Sequence, residues 1–177
     1  MFESIKLSEL DRINCGILRE ATSTRPYVWQ IKENQVRALV KDFSRNSFFY
    51  RNIAGRLLVW RESKAYKRLE HVENVPKLYR TIGGIALIIE AVDGKDMTDR
   101  AVKKMAFSED FFNEMREIIK KIHRHGVVHC DLKNASNTIM DSKGHPHIID
   151  WASCMCSGEF RIFQSRLSPP TVFPPAR

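Results

Sequence analysis

"HCDLKNASN" occupies residues 129–137, and thirteen residues after Asn137 a second acid, Asp150, closes the strand "HIID" (147–150). A loop that only reversed the chain would use Gly, Pro or an Asn-Gly pair. This loop instead places Asp131, Lys133 and Asn137 between two apolar strands, "VVH" before it and "NTIM" after it. Carboxylate and amide oxygens are the ligands of hard cations. The turn "DSKG" (141–144) then returns the chain through "HIID", so Asn137 and Asp150 stand at the two ends of one hairpin.

Outward from that hairpin, "SEDFFNEMREIIKKIHRHG" (108–126) reads as a helix. Ser108 is its N-cap, and Glu109 and Asp110 lie in the first turn. Phe111, Met115, Ile118, Ile119 and Ile122 form its apolar stripe, and Gly126 ends it behind Lys120, Lys121 and Arg124. Earlier in the chain, strands are expected at 27–32 and 36–42 around the turn "ENQ", with another strand ahead of the loop "ATSTRP" (21–26). A helical pattern covers 54–70, where Leu58, Glu62, Ala65 and Leu69 share one face. Glu62 is thus a carboxylate on an apolar stripe, which is costly unless paired. "PKLYRTI", Gly83–Gly84 and "IALIIEAV" predict a hairpin whose second strand is buried. The expected organisation is α+β: an N-terminal β-rich lobe with one key helix over 1–92, a polar hinge at 93–97, a small C-terminal lobe over 98–158, and an irregular Pro-rich tail over 159–177.

The 177 residues suffice for one core or two small lobes, and 43% apolar with 28% charged residues is ordinary for a soluble globular chain. The apolar stretch "IGGIALIIEAV" (82–92) is too short to span a bilayer, and the start "MFESIKLSEL" has no apolar signal core. A cytoplasmic protein with free thiols at Cys15, Cys130, Cys154 and Cys156 is the expectation. The net charge of +8 predicts a polyanionic partner, such as a nucleotide or an anionic membrane face. No basic stripe interleaved with aromatics supports a nucleic-acid partner. His145, His147, Cys154 and Cys156 lack the spacing of ordinary structural zinc sites.

A buried Lys41–Glu62 pair would satisfy both groups. Asn137 and Asp150 together would suit Mg²⁺, which favours a few protein oxygens plus phosphate oxygens, while Asp131 orients a hydroxyl. Phosphoryl transfer needs little more.

In this order Lys41 ("ALVK"), Glu62, "IIEAVDG", "HCDLKNASN" and "IIDWA" make the chain resemble the protein-kinase-like superfamily, over about residues 16–155. The resemblance implies a two-lobed fold with a minimal, truncated C-terminal lobe and the use of ATP with Mg²⁺. It implies that Lys41 holds the α/β-phosphates and is fixed by Glu62, and that the backbone of Glu90 and Val92 meets the adenine. Asp131 becomes the catalytic acid/base, Lys133 steadies the γ-phosphate, Asn137 and Asp150 bind Mg²⁺, and Trp151 fills an apolar slot. His129 is expected to be structural. Lys133 in "DLK" is shared with serine/threonine protein kinases, so a protein hydroxyl is the expected acceptor.

There are departures from the pattern. No G-x-G-x-x-G precedes Lys41, so "ATSTRP" is expected to cover the phosphates, as a Ser-rich loop does in RIO-like kinases. Asn137 stands six residues after Asp131 where the pattern has five, Cys130 replaces Arg, and Ala152 replaces Gly. The small size is similar to that of RIO, Bud and lipopolysaccharide (Kdo or heptose) kinases. Two alternatives follow. One is a lipopolysaccharide-sugar kinase working at the inner face of a membrane; the other is an inert pseudokinase or binding module.

Overall fold

The computed structural model describes residues 2–10 and 16–158. Its largest unit is an antiparallel sheet of β1 (Gly16–Arg19), β2 (Tyr27–Glu33), β3 (Val36–Asp42), β4 (Leu78–Ile82) and β5 (Ala86–Glu90), in the order β1-β2-β3-β5-β4. The β2–β3 hairpin closes through Asn34 and Gln35, both at positive φ (46° and 70°). Two left-handed residues in a two-residue loop match the twist of the flanking strands. Gly83 and Gly84, at φ 56° and 67°, make the equivalent turn between β4 and β5.

Strand alternation sends side chains to two faces. Trp29, Ile31, Ala38, Val40, Ala86 and Ile88 pack on one face beneath the N-terminal Phe2, Ile5 and Leu10. Leu87 and Ile89 face the other way, toward a helical segment that starts earlier than the pattern from 54 suggests. It comprises α1 (Phe48–Tyr50), a π-turn (Arg51–Gly55) and α2 (Arg56–Arg68). Val59, Ala65, Tyr66 and Leu69 close the core there.

The same core continues into the C-terminal part through Ile118 and Ile122 of α3 (Glu109–Arg124), and then Val127, Ile148 and Trp151. Each such fully buried side chain contributes about 2 kcal/mol. Ser108 caps α3 by accepting from the Phe111 amide, as its sequence suggests. The residues read as a polar connector include a short strand, β6 (Gly94–Asp96). It pairs with β8 (Thr138–Asp141), which pairs with β9 (Pro146–Ile148). Before β8 comes β7 (Val127–Val128), paired with β10 (Met155–Cys156).

Two arginines of α2 tie it to the end of the described chain. Arg61 donates to the Cys154 carbonyl at 2.6 Å, and Arg68 donates to the carbonyls of Gly126 (3.1 Å) and Ser157 (2.9 Å). Among the described residues, no helix is long and apolar enough to cross a membrane.

Candidate active site

Lys41 is the hub. Its ammonium donates to Glu62 Oε1 at 2.5 Å and to Asp150 Oδ1 at 2.8 Å, linking β3, α2 and the segment after β9. The Lys41 and Glu62 side chains are only 11% and 2% exposed, whereas Asp150 is 41% exposed. Burial works against the charge of Lys41, but the Glu62 and Asp150 carboxylates outweigh it and hold the ammonium above the usual lysine range. Burial pushes the Glu62 carboxyl up, with Lys41 opposing. Asp150 is held below the ordinary carboxylate range, chiefly by Lys41. The Tyr66 ring is buried beside Glu62 and Asp150; its hydroxyl makes no well-formed hydrogen bond, and burial raises its pKa well above that of an ordinary tyrosine.

The loop of Asp131 is held by its neighbours. The amide of Asn137, itself buried, donates to the Asp131 carbonyl (2.9 Å) and to Asp131 Oδ2 (3.1 Å). The extra residue between Asp131 and Asn137 is absorbed by a 3₁₀ turn, Ala135–Asn137, capped by the Asn134 side chain. With its N–H₂ engaged, Asn137 has its carbonyl oxygen free to face a cation. His129 donates from Nε2 to the Ile149 carbonyl (2.8 Å) and accepts the Asp131 amide at Nδ1 (3.3 Å). The bond accepted at Nδ1 requires the neutral ring, and burial lowers its pKa accordingly. Trp151, fully buried, meets the His129 ring edge-on at 4.7 Å. Cys130 and Asp150 both adopt left-handed backbone, at φ 64° and 63°. Such strain in non-glycine residues concentrates at functional sites.

A cleft of about 450 Å³ brings Lys41, Glu90, Val92, Asn137 and Asp150 to one space. That volume suits a small-molecule site. Leu39 and Ile139 add apolar wall. The Glu90 and Ala91 amides donate to the carbonyls of Lys77 (2.8 Å) and Arg37 (3.2 Å). The Val92 amide has no acceptor among the described residues. Glu62 does not line the cleft and acts on it through Lys41, while Asp131 touches it through Asn137. Lys133 is exposed on its loop and is not part of the cleft lining.

Placement of the 21–26 loop over the phosphates needs correction. Its turn, closed by Thr22 N–H donating to the Arg25 carbonyl at 3.1 Å, is tied toward α1. Asn46 donates to the carbonyls of Thr22 (2.8 Å) and Arg25 (3.0 Å), and the Tyr50 hydroxyl donates to that of Thr24 (2.7 Å). No residue from 21 to 26 lines the cleft. The loop nonetheless keeps a recognisable length: Ala21, Ser23, Pro26 and Val28 stand at the spacing of G-x-G-x-x-G-x-V. That spacing was available in the sequence; the anchoring by Asn46 and Tyr50 was not. Nor did the sequence carry a signal for the Lys41–Asp150 contact or for the Asn137 bond to Asp131.

The histidines and cysteines set aside as zinc ligands go separate ways. His145 bonds Glu114 at 3.0 Å and His147 bonds Asp141 at 3.2 Å, while Cys154 and Cys156 are buried in the core.

A family model described as the protein kinase domain matches residues 29–160. CBL-interacting serine/threonine-protein kinase 17 of Arabidopsis thaliana is 32% identical over 108 residues, which is 57% of this chain and 24% of that protein. Calcium/calmodulin-dependent protein kinase type 1 of Macrobrachium nipponense is 33% identical over 78 residues, 41% of this chain and 23% of that one. A probable myosin light chain kinase of Dictyostelium discoideum is 29% identical over 133 residues, 71% of this chain and 38% of that one. The chain thus spans about a quarter to two fifths of the length of these relatives.

Proposed function

The chain belongs to the protein kinase domain family, and from that premise we propose that it is an ATP- and Mg²⁺-dependent kinase acting on a serine or threonine hydroxyl of a protein. One observation carries this reading: Lys41 bridges Glu62 and Asp150 in a cleft that Asn137 also lines, with Asn137 gripping Asp131. A purely structural lysine would need one acid, not two from different elements. The names of the relatives support a protein acceptor over a lipopolysaccharide sugar.

In this reading, Glu90 and Val92 offer backbone groups to the adenine at the cleft edge. Lys41, kept charged and fixed by Glu62, meets phosphate oxygens. The donor set fits Mg²⁺: the Asp150 carboxylate keeps Oδ2 available beside Lys41, and Asn137 presents its carbonyl. Two hard oxygens suit an ion that takes its remaining ligands from phosphates and water. When bound, the ion neutralises charge on the phosphates. Asp131, oriented by Asn137, receives the proton of the acceptor hydroxyl. The hydroxyl oxygen bonds to the γ-phosphorus as the β–γ bridge breaks and ADP departs. Lys133, on the same loop, reaches toward the transferred phosphoryl group. ATP use and an exposed thiol at Cys130 support a cytoplasmic setting.

A nucleotide-binding module without transfer is the rival, favoured by a 21–26 loop that stays off the cleft. The test is transfer of labelled γ-phosphate by the purified chain and its Asp131→Asn variant, offered itself, a generic basic protein and a lipopolysaccharide extract. Label on protein serine or threonine, lost in the variant, supports the kinase reading. Label on lipopolysaccharide alone moves the acceptor, and ATP binding without label from folded protein selects the rival.

A further inference from the structure

Three cations line the cleft: Arg19, Arg37 and Lys41. Arg37 is paired with Asp93 at 2.7 Å, and Lys41 is held by two acids. Arg19 alone of the three makes no salt bridge among the described residues.

Its direction has a specific cause. In β1, Gly16 pairs with Gln30 and Ile17 with Trp29, but the register then slips so that Arg19, not Leu18, stands opposite Val28. On β2, Gln30 and Val28 line the cleft, while Trp29 and Ile31 are buried on the opposite face. In an unbroken strand Leu18 would face the cleft and Arg19 would turn away, since successive side chains alternate. The β-bulge at Leu18 puts both residues on the cleft side, which is how bulges re-aim a side chain.

The 21–26 loop leaves a vacancy in function. Asn46 and Tyr50 hold its Thr22, Thr24 and Arg25 carbonyls, the Thr22 amide is spent on Arg25, and none of its residues lines the cleft.

We propose that Arg19, aimed by the β-bulge at Leu18, is a phosphate-binding residue that does here what loop amides would otherwise do for the nucleotide's polyphosphate. This rests on the nucleotide reading of the cleft. A guanidinium matches phosphate oxygens with two parallel N–H donors. Arg19 stands opposite Val28, and Val28 stands opposite Lys41, so the strand register puts Arg19 level with Lys41, at the phosphate end of the cleft rather than the adenine end. Its exposed position on an edge strand makes substitution harmless to folding.

The experiment is a calorimetric titration of ATP, ADP and adenosine, with and without Mg²⁺, into wild type, Arg19→Gln and Arg19→Lys, with unfolding curves showing that all three are folded. Arg19→Gln is expected to weaken ATP about tenfold, the worth of one charge-assisted hydrogen bond. Adenosine should bind it as it binds wild type, and Arg19→Lys should recover part of the loss. Equal ATP affinity in wild type and Arg19→Gln overturns the assignment, as does an equal loss for ATP and adenosine. The underlying reading fails separately: wild type that binds neither ATP nor adenosine overturns it, and Arg19's role with it.

Discussion

Lys41→Met tests the hub at the level of stability. Removing the ammonium leaves Glu62, 2% exposed, with no cation, and leaves Asp150, 41% exposed, with water to turn to. Nearly all the cost therefore falls on Glu62. Stranding one partner of a buried pair costs about 3–5 kcal/mol. Glu62 escapes part of that by taking a proton, because burial already raises its pKa. A loss of about 3 kcal/mol is expected, which lowers the melting temperature by about 6–12 °C in a chain of this size. Glu62→Gln should be milder, at about 1–2 kcal/mol, because Lys41 keeps Asp150 at 2.8 Å. The double variant Lys41→Met/Glu62→Leu removes the stranded charge and should be more stable than Lys41→Met alone. Urea unfolding followed by circular dichroism reads all three as midpoints at unchanged slope. The reasoning is refuted if Glu62→Gln destabilises as much as Lys41→Met, or if the double variant is no better than the single one.

Other perturbations probe the rest of the site. Asn137→Ala frees both the carbonyl and the carboxylate of Asp131, so transfer should drop about a hundredfold through kcat, the scale of a misplaced catalytic group; steady-state kinetics will show whether KM moves instead. His129 is neutral in the fold with a pKa below its ordinary 6.5. Its contribution is therefore complete above the ordinary histidine pKa and is lost as pH falls from there through the lowered value of the folded state, while the unfolded chain gains the proton first. His129→Phe should flatten the slope of melting temperature against pH across that window, and an unchanged slope would clear His129 of the effect. Gly94 sits so close to β8 that a Cβ would lie 2.3 Å from the Met140 carbonyl oxygen and 2.9 Å from Asp141 Cα. Gly94→Ala should cost about 1–3 kcal/mol, and a melting curve coincident with wild type would contradict that contact.

Much of this arrangement was legible in the residues, for physical reasons that differ by element. Period-2 patterns and a polar turn located β2 and β3, because half-buried strands must alternate, and a continuous apolar run located β5, because it is buried on both faces. Ser108 and Gly126 bounded α3, because helix ends need caps. Glu62 announced itself as a charge on an apolar stripe, and Lys41, closing the strand "RALVK", offered the pairing that would satisfy both. What stayed hidden depends on register and on distant segments. The bulge at Leu18 inverts the direction of Arg19 by a one-residue slip that no local pattern marks. The helix begins at Phe48 rather than near 54 because a π-turn continues it, where the apolar spacing breaks. The 21–26 loop looked free to cover a ligand until Asn46 and Tyr50, more than twenty residues away, proved to hold it. The strand at Gly94–Asp96 is polar because it is an edge, so it reads as a linker. The extra residue before Asn137 looked disruptive, yet a 3₁₀ turn absorbs it and delivers the amide to Asp131.

The central claim is that Lys41, Asn137 and Asp150 form one site for Mg–ATP. Calorimetric titration of ATP into wild type and Asp150→Asn, each with and without Mg²⁺, tests it most directly. The account predicts that Mg²⁺ strengthens ATP binding to wild type and that this gain disappears in Asp150→Asn while the protein stays folded. An equal response to Mg²⁺ in the two proteins would contradict it.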